Sequence, residues 1–140
     1  MKSFILILLF IISSISGLFS GQLPNNKNIK PDVSLNTRSN TNRKTVTMKL
    51  GQICSYKYQT FYSAGYSVYY KIKNPQILKL VSKKNKYLSP LHGSIAAIGN
   101  DKTDVTLFFK AVNYRTTEIV FSYVARGKVT RKVIITIFVQ

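Results

Sequence analysis

Apolar and polar positions alternate with a period of two along most of the chain from Thr45 to Gln140. Thr45–Leu50 (TVTMKL) stops at Gly51. Ile53–Phe61 then sets Cys54, Tyr56, Tyr58 and Thr60 on one face against Ser55, Lys57 and Gln59 on the other. Tyr66–Ile72 (YSVYYKI) is rich in aromatic and β-branched residues and is broken by Asn74-Pro75. Ile77–Val81 is a short apolar strand, followed by a polar loop holding Lys83, Lys84 and Lys86. In the second half, Val105, Leu107, Phe109 and Ala111 share a face, as do Ile119, Phe121 and Tyr123, then Val133, Ile135, Ile137 and Val139. Successive side chains of a strand point to opposite sides of its sheet, so this alternation marks strands with one buried face. No segment sustains an apolar stripe at helical spacing. About seven strands within residues 45–140 predict an all-β fold, an immunoglobulin-like β-sandwich.

The connections differ in character. Ala125-Arg126-Gly127-Lys128 reads as a tight hairpin in which glycine takes a positive φ. From Ser82 to Asp104 the chain is long and mixed, with Ser89-Pro90, Gly93, an apolar island at Ile95–Ile98 and Gly99-Asn100-Asp101. Long loops on compact domains commonly carry function.

Two segments precede the alternating region. Lys2 followed by the unbroken apolar run Phe4–Ile12, then Ser13, Ser14, Ser16 and Gly17, has the layout of a secretory signal peptide over residues 1–16. A membrane span needs about 20 apolar residues, roughly twice this run, so cleavage is expected rather than anchoring. Residues 17–44 are rich in Asn, Ser, Thr, Lys and Pro without either apolar period, and read as a flexible basic lead-in outside the core.

Composition narrows the chemistry. The chain has 21 Lys+Arg against 4 Asp+Glu, a formal charge of +17; without Lys2, 20 basic and 4 acidic residues leave +16. Its carboxylates are Asp32, Asp101, Asp104 and Glu118, its one imidazole is His92 and its one thiol is Cys54. A hydrolytic triad could draw only on His92 with Asp101 or Asp104, all in one loop and without a G-x-S-x-G elbow. Cys54 with His92 has no orienting signature, and one Cys and one His are too few for a metal site, so no enzyme activity, metal or cofactor is expected. A single cysteine allows no internal disulfide, and Cys54 in its alternating stretch reads as a buried, inert thiol. Interleaved Tyr and Lys could stack bases and neutralise phosphates. However, the alternation sends Tyr and Lys to opposite faces, and a secreted route removes the usual partners, so nucleic acid is not the expected ligand.

One stretch is more specific. Phe61-Tyr62-Ser63-Ala64-Gly65-Tyr66-Ser67-Val68 resembles the N-P-T-T-G-[YF]-x-W signature of the chagasin-like inhibitors of papain-family cysteine peptidases. Ser63, Gly65 and Tyr66 match or nearly match, while Phe61, Tyr62 and Val68 stand where that signature has Asn, Pro and Trp. Leu107-Phe108-Phe109-Lys110-Ala111 is similar to the family's F-x-F-K-A strand, and Thr116–Tyr123 (TTEIVFSY) to its G-T-x-x-[IL]-x-F-x-Y strand. The resemblance spans residues 45–140 in strand order and spacing. It implies an inhibitor that occludes a peptidase cleft with three neighbouring loops, without covalent chemistry.

On this chain those loops fall at Ser63, Ala64, Gly65 and Tyr66, at Gly99 and Asn100, and at Arg126. The second loop keeps one glycine of the family's G-x-G-G stretch, and the third has no aromatic after its arginine. With the leader directing the chain into the secretory pathway, the expectation is a secreted or vesicular monomer, and the resemblance implies that its partner is a papain-family cysteine peptidase. The alternative left open is a diverged sandwich without inhibitory activity, binding an acidic protein or an anionic surface through its basic face.

Overall fold

The computed structural model describes residues 29–36, 41–88 and 102–140. The expected signal peptide, the start of the lead-in, His92 and the Gly99-Asn100-Asp101 stretch lie outside the described residues. Eight strands occur among them: β1 (Val33–Ser34), β2 (Arg43–Met48), β3 (Ile53–Phe61), β4 (Tyr66–Ile72), β5 (Leu78–Tyr87), β6 (Lys102–Ala111), β7 (Arg115–Ala125) and β8 (Lys128–Val139). Hydrogen bonds link them in the order β2-β8-β7-β4-β3-β6-β5, with β1 alongside β3.

The step from β4 to β3 is a single residue pair, Phe61 with Tyr66. At that corner the path folds over into two layers, β2-β8-β7-β4 on one side and β1-β3-β6-β5 on the other. The facing alternations meet between them. Cys54 and Tyr56 of β3, Val105, Leu107 and Phe109 of β6, Ile119 and Phe121 of β7, and Val133, Ile135 and Ile137 of β8 form one buried cluster. Rings cross the gap: Tyr56 stacks on Phe121 at 3.7 Å between centroids, and Phe109 meets Tyr70 edge-on at 5.6 Å. The architecture is the all-β, immunoglobulin-like sandwich that the alternation predicts.

Two expectations are corrected. Part of the stretch read as a flexible lead-in is built into the core. Leu35 is fully buried, and the chain around it is tied to β3 by Asp32 N–H to Ile53 O, Leu35 N–H to Ser55 O and Ile53 N–H to an Asp32 carboxylate oxygen, each 2.8 Å. Lys44 closes the gap to β2, donating through Nζ to the carbonyls of Ser34 and Asn36 at 3.0 Å. A strand of two residues is too short to show a period, and its stability comes from backbone groups borrowed from β3.

The second correction concerns Lys83, Lys84 and Lys86, read as a loop. They extend β5, paired with β6 as far as Tyr87 opposite Thr103. β5 is an edge strand, and lysine is a residue that edges tolerate because it deters pairing with another chain.

Candidate functional site

The β3–β4 corner that joins the two layers is also the turn singled out in the sequence. After Phe61 the chain makes one 3-10 turn, Tyr62–Ala64, closed by Gly65 N–H to Tyr62 O at 2.9 Å. Gly65 then takes φ +72°, a left-handed conformation that costs an L side chain about 1–2 kcal/mol. Tyr66 starts β4.

Beside it, β7 and β8 are joined by two residues, Arg126 at φ +49° and Gly127 at φ +77°, with Ala125 paired to Lys128. Two positive φ values in succession make the mirror-image turn whose twist suits a hairpin. Asn, Asp or Gly usually fills its first position, and here an exposed arginine does.

The structure brings these two turns together. Arg126 N–H donates to Gly65 O at 2.9 Å, and Tyr66 pairs with Ala125. A Cβ built on Gly65 would stand 3.5 Å from the Arg126 Cα and N atoms. Ser63, Ala64, Gly65, Tyr66 and Arg126 therefore form one continuous ridge at one end of the sandwich. Gly99 and Asn100 lie outside the described residues. The ends flanking their segment do reach this ridge: Leu88 N–H bonds Lys102 O at 2.8 Å, and Lys102 pairs with Phe61.

Three exposed tyrosines at this end were not all assigned to the site from sequence. Tyr66 is 48% exposed, Tyr62 59% and Tyr87 75%. Tyr62 lies inside the signature stretch, where it looked only like a replacement for proline, and Tyr87 was hidden in the presumed lysine loop. Both present exposed rings, and tyrosine is enriched among the residues that dominate protein interfaces. Phe61 supports the ridge from beneath, edge-on to Tyr66 at 6.3 Å with Lys102 Nζ 5.6 Å from its ring centre. Val68, where the signature has Trp, is half-buried and packs against the core.

Between the ridge and the core is a cavity of about 250 Å³ whose lining includes Phe61, Tyr66, Val68, Tyr123 and Arg131. At its base the Tyr123 and Tyr56 hydroxyls share a 2.8 Å hydrogen bond. Burial, then that bond, holds the Tyr56 hydroxyl far above its ordinary pKa. Burial, then the neighbouring tyrosines, raises Tyr58 to about 12. These phenols stay protonated and make hydrogen bonds rather than exchange protons. Burial likewise pushes the Cys54 thiol up to about 12, so little of it is the reactive thiolate at neutral pH. Among the described residues no three His, Cys, Asp or Glu side chains gather into a metal-binding group. The ridge is suited to contact, with rigid turns, exposed rings and a cation.

In sequence, the chain matches no family model and no curated protein. In fold it is similar to solved structures. The cysteine protease inhibitor EhICP2 from Entamoeba histolytica superposes with a TM-score of 0.58 at 14% identity, covering 79% of this chain and 100% of that one. Amebosin superposes with a TM-score of 0.51 at 19% identity, again covering 79% of this chain and 100% of the other. PbICP-C, solved in complex with falcipain-2, gives a TM-score of 0.47 at 19% identity over 76% and 97%, too loose a superposition to bear on this chain. The chain thus shares its fold, over the whole length of the other protein, with a cysteine protease inhibitor.

Proposed function

We propose that this protein is a secreted inhibitor of papain-like cysteine peptidases, blocking the active-site cleft non-covalently with three loops. The observation that carries the reading is the pairing of the two turns, with Arg126 hydrogen-bonded to Gly65 so that both advance as one ridge. The fold shared with a cysteine protease inhibitor supports it, and so does the resemblance of the Ser63–Tyr66 turn. Arg126 adds a physical argument. Non-glycine residues at positive φ are uncommon and cluster at functional sites, and this one is exposed on the ridge.

In this mechanism the Gly65 turn enters the cleft centrally, Tyr62 and Tyr66 supply buried contact area, and Arg126 flanks on one side. The resemblance assigns the other flank to Gly99 and Asn100, which lie outside the described residues. The peptidase's nucleophile meets backbone and rings, with no bond presented in a cleavable geometry. The charge of +16 left once Lys2 is removed accelerates encounter with an acidic enzyme, and that contribution fades with salt. The apolar leader directs the chain into the secretory pathway, for release or delivery to lysosome-like or phagosomal vesicles.

Steady-state inhibition of papain tests the reading. It predicts competition with substrate, recovery of the intact inhibitor, and Ki raised about 10-fold or more by Tyr62→Ala or Arg126→Ala, the size expected for an interface anchor. Inhibition that does not compete with substrate, or that survives both substitutions unchanged, would contradict it.

A further inference from the structure

The outer face of the layer β5-β6-β3 runs along the side of the sandwich and ends at Phe61, beneath the ridge. Cross-strand partners share a face, so the register reads it row by row: Lys79–Lys110–Ile53, Ser82–Phe108–Ser55, Lys84–Thr106–Lys57, Lys86–Asp104–Gln59, then Lys102–Phe61. Six lysines and one aspartate occupy a strip about 27 Å long and about 10 Å wide, taking the usual strand rise and spacing. Deterring edge pairing accounts for lysines on β5, but Lys110 and Lys102 are on β6 and Lys57 on β3, strands with neighbours on both sides.

Within the strip is a groove of about 660 Å³ lined by, among others, Lys57, Gln59, Lys84, Lys86 and Asp104. The Asp104 Oδ1 atom there is buried without a hydrogen-bond partner. An unpartnered buried acceptor is costly and favours a ligand that brings a donor.

We propose that this face binds a linear sulfated polysaccharide. Sulfates spaced along a sugar chain answer lysines spaced along a strip, and sugar hydroxyls answer Gln59, Thr106 and the unpartnered Asp104 oxygen. A lipid surface fits less well. Phe108, in the middle of the strip, is only 5% exposed beneath Lys84, whose Nζ stands 5.3 Å from the ring centre, and so has nothing to insert. The ionised side chains of an acidic peptide carry no hydroxyl to donate to the Asp104 oxygen. The groove is lined by none of the ridge residues Ser63, Ala64, Gly65, Tyr66 and Arg126, so the polysaccharide and a peptidase could be held together.

The test is calorimetric titration of the purified protein with a heparin-derived oligosaccharide at about 0.15 M salt, where unlocalised attraction is partly screened. The variant Lys57→Gln/Lys84→Gln/Lys86→Gln should lose affinity about 10-fold or more, and the equal-charge control Arg43→Gln/Lys71→Gln/Lys132→Gln on the opposite outer face less than about 3-fold. Amide shifts of the unsubstituted protein on titration should fall on β3, β5 and β6. Equal losses in both variants, shifts spread over the opposite face, or tighter binding of phosphatidylserine vesicles or polyglutamate at equal salt would each overturn the proposal. Neither variant touches the ridge, so papain inhibition is an independent readout.

Discussion

At Gly65 the constraint is the backbone rather than space: a Cβ would meet its nearest neighbours at an ordinary 3.5 Å, but φ is +72°. Gly65→Ala should therefore fold and lose about 1–2 kcal/mol, measured by chemical denaturation. Arg126 presents the converse case. Asn suits the first position of its turn better, so Arg126→Asn should keep stability or raise it by up to about 1 kcal/mol while weakening inhibition. A stability loss beyond that would mean that the arginine is structural. Thr60 gives a third test away from the ridge. It is 1% exposed, and its hydroxyl is buried without a hydrogen-bond partner. Thr60→Val keeps the shape, removes the orphaned oxygen and should stabilise by about 1 kcal/mol.

Among the elements, β1 is the most informative because so little of it announces itself. Leu35→Ala should cost about 2–5 kcal/mol, as for other fully buried leucines, whereas a true lead-in would register almost nothing. A chain begun at Thr45 would lose Leu35 and the Lys44 bonds and should unfold at lower denaturant than one begun at residue 29. The same contrast shows what the sequence made legible. β3 and β4 were read to the residue, and the buried faces of β6, β7 and β8 position by position, because period-two alternation is imposed by a core on one side. β1 and the far half of β5 were missed because their pairing is satisfied by the backbone, to which side-chain patterns are blind. At the site, Ser63, Gly65, Tyr66 and Arg126 were reachable through the resemblance of the Phe61–Val68 stretch and the order of the loops, with turn chemistry marking only where the tight turns lie. That the two turns touch, and that Tyr62 and Tyr87 share their end, follows from a register no local pattern encodes.

For the molecule as a whole, the buried acids set its response to pH. Cys54, ordinarily 9.0, is raised to about 12, and Tyr58, ordinarily 10.0, to about 12; both favour the neutral form in the fold. Such groups contribute stability that is fully present below their unfolded pKa values and is lost as pH rises through the folded ones. Denaturation midpoints should therefore fall between pH 9 and 12, and Cys54→Ala should make that fall shallower whatever it costs at neutral pH. A midpoint that stays level across that window would refute the burial argument. The central claim is that the paired turns enter a cysteine peptidase cleft, and inhibition of papain and a cathepsin L-type enzyme by the purified protein tests it most directly, beside Gly65→Glu/Tyr66→Ala confirmed folded by circular dichroism. The account predicts Ki in the nanomolar range, abolished by the double substitution. No inhibition at about 10 µM, a concentration at which a specific complex of ordinary affinity would form, would contradict it and leave a sandwich without that function.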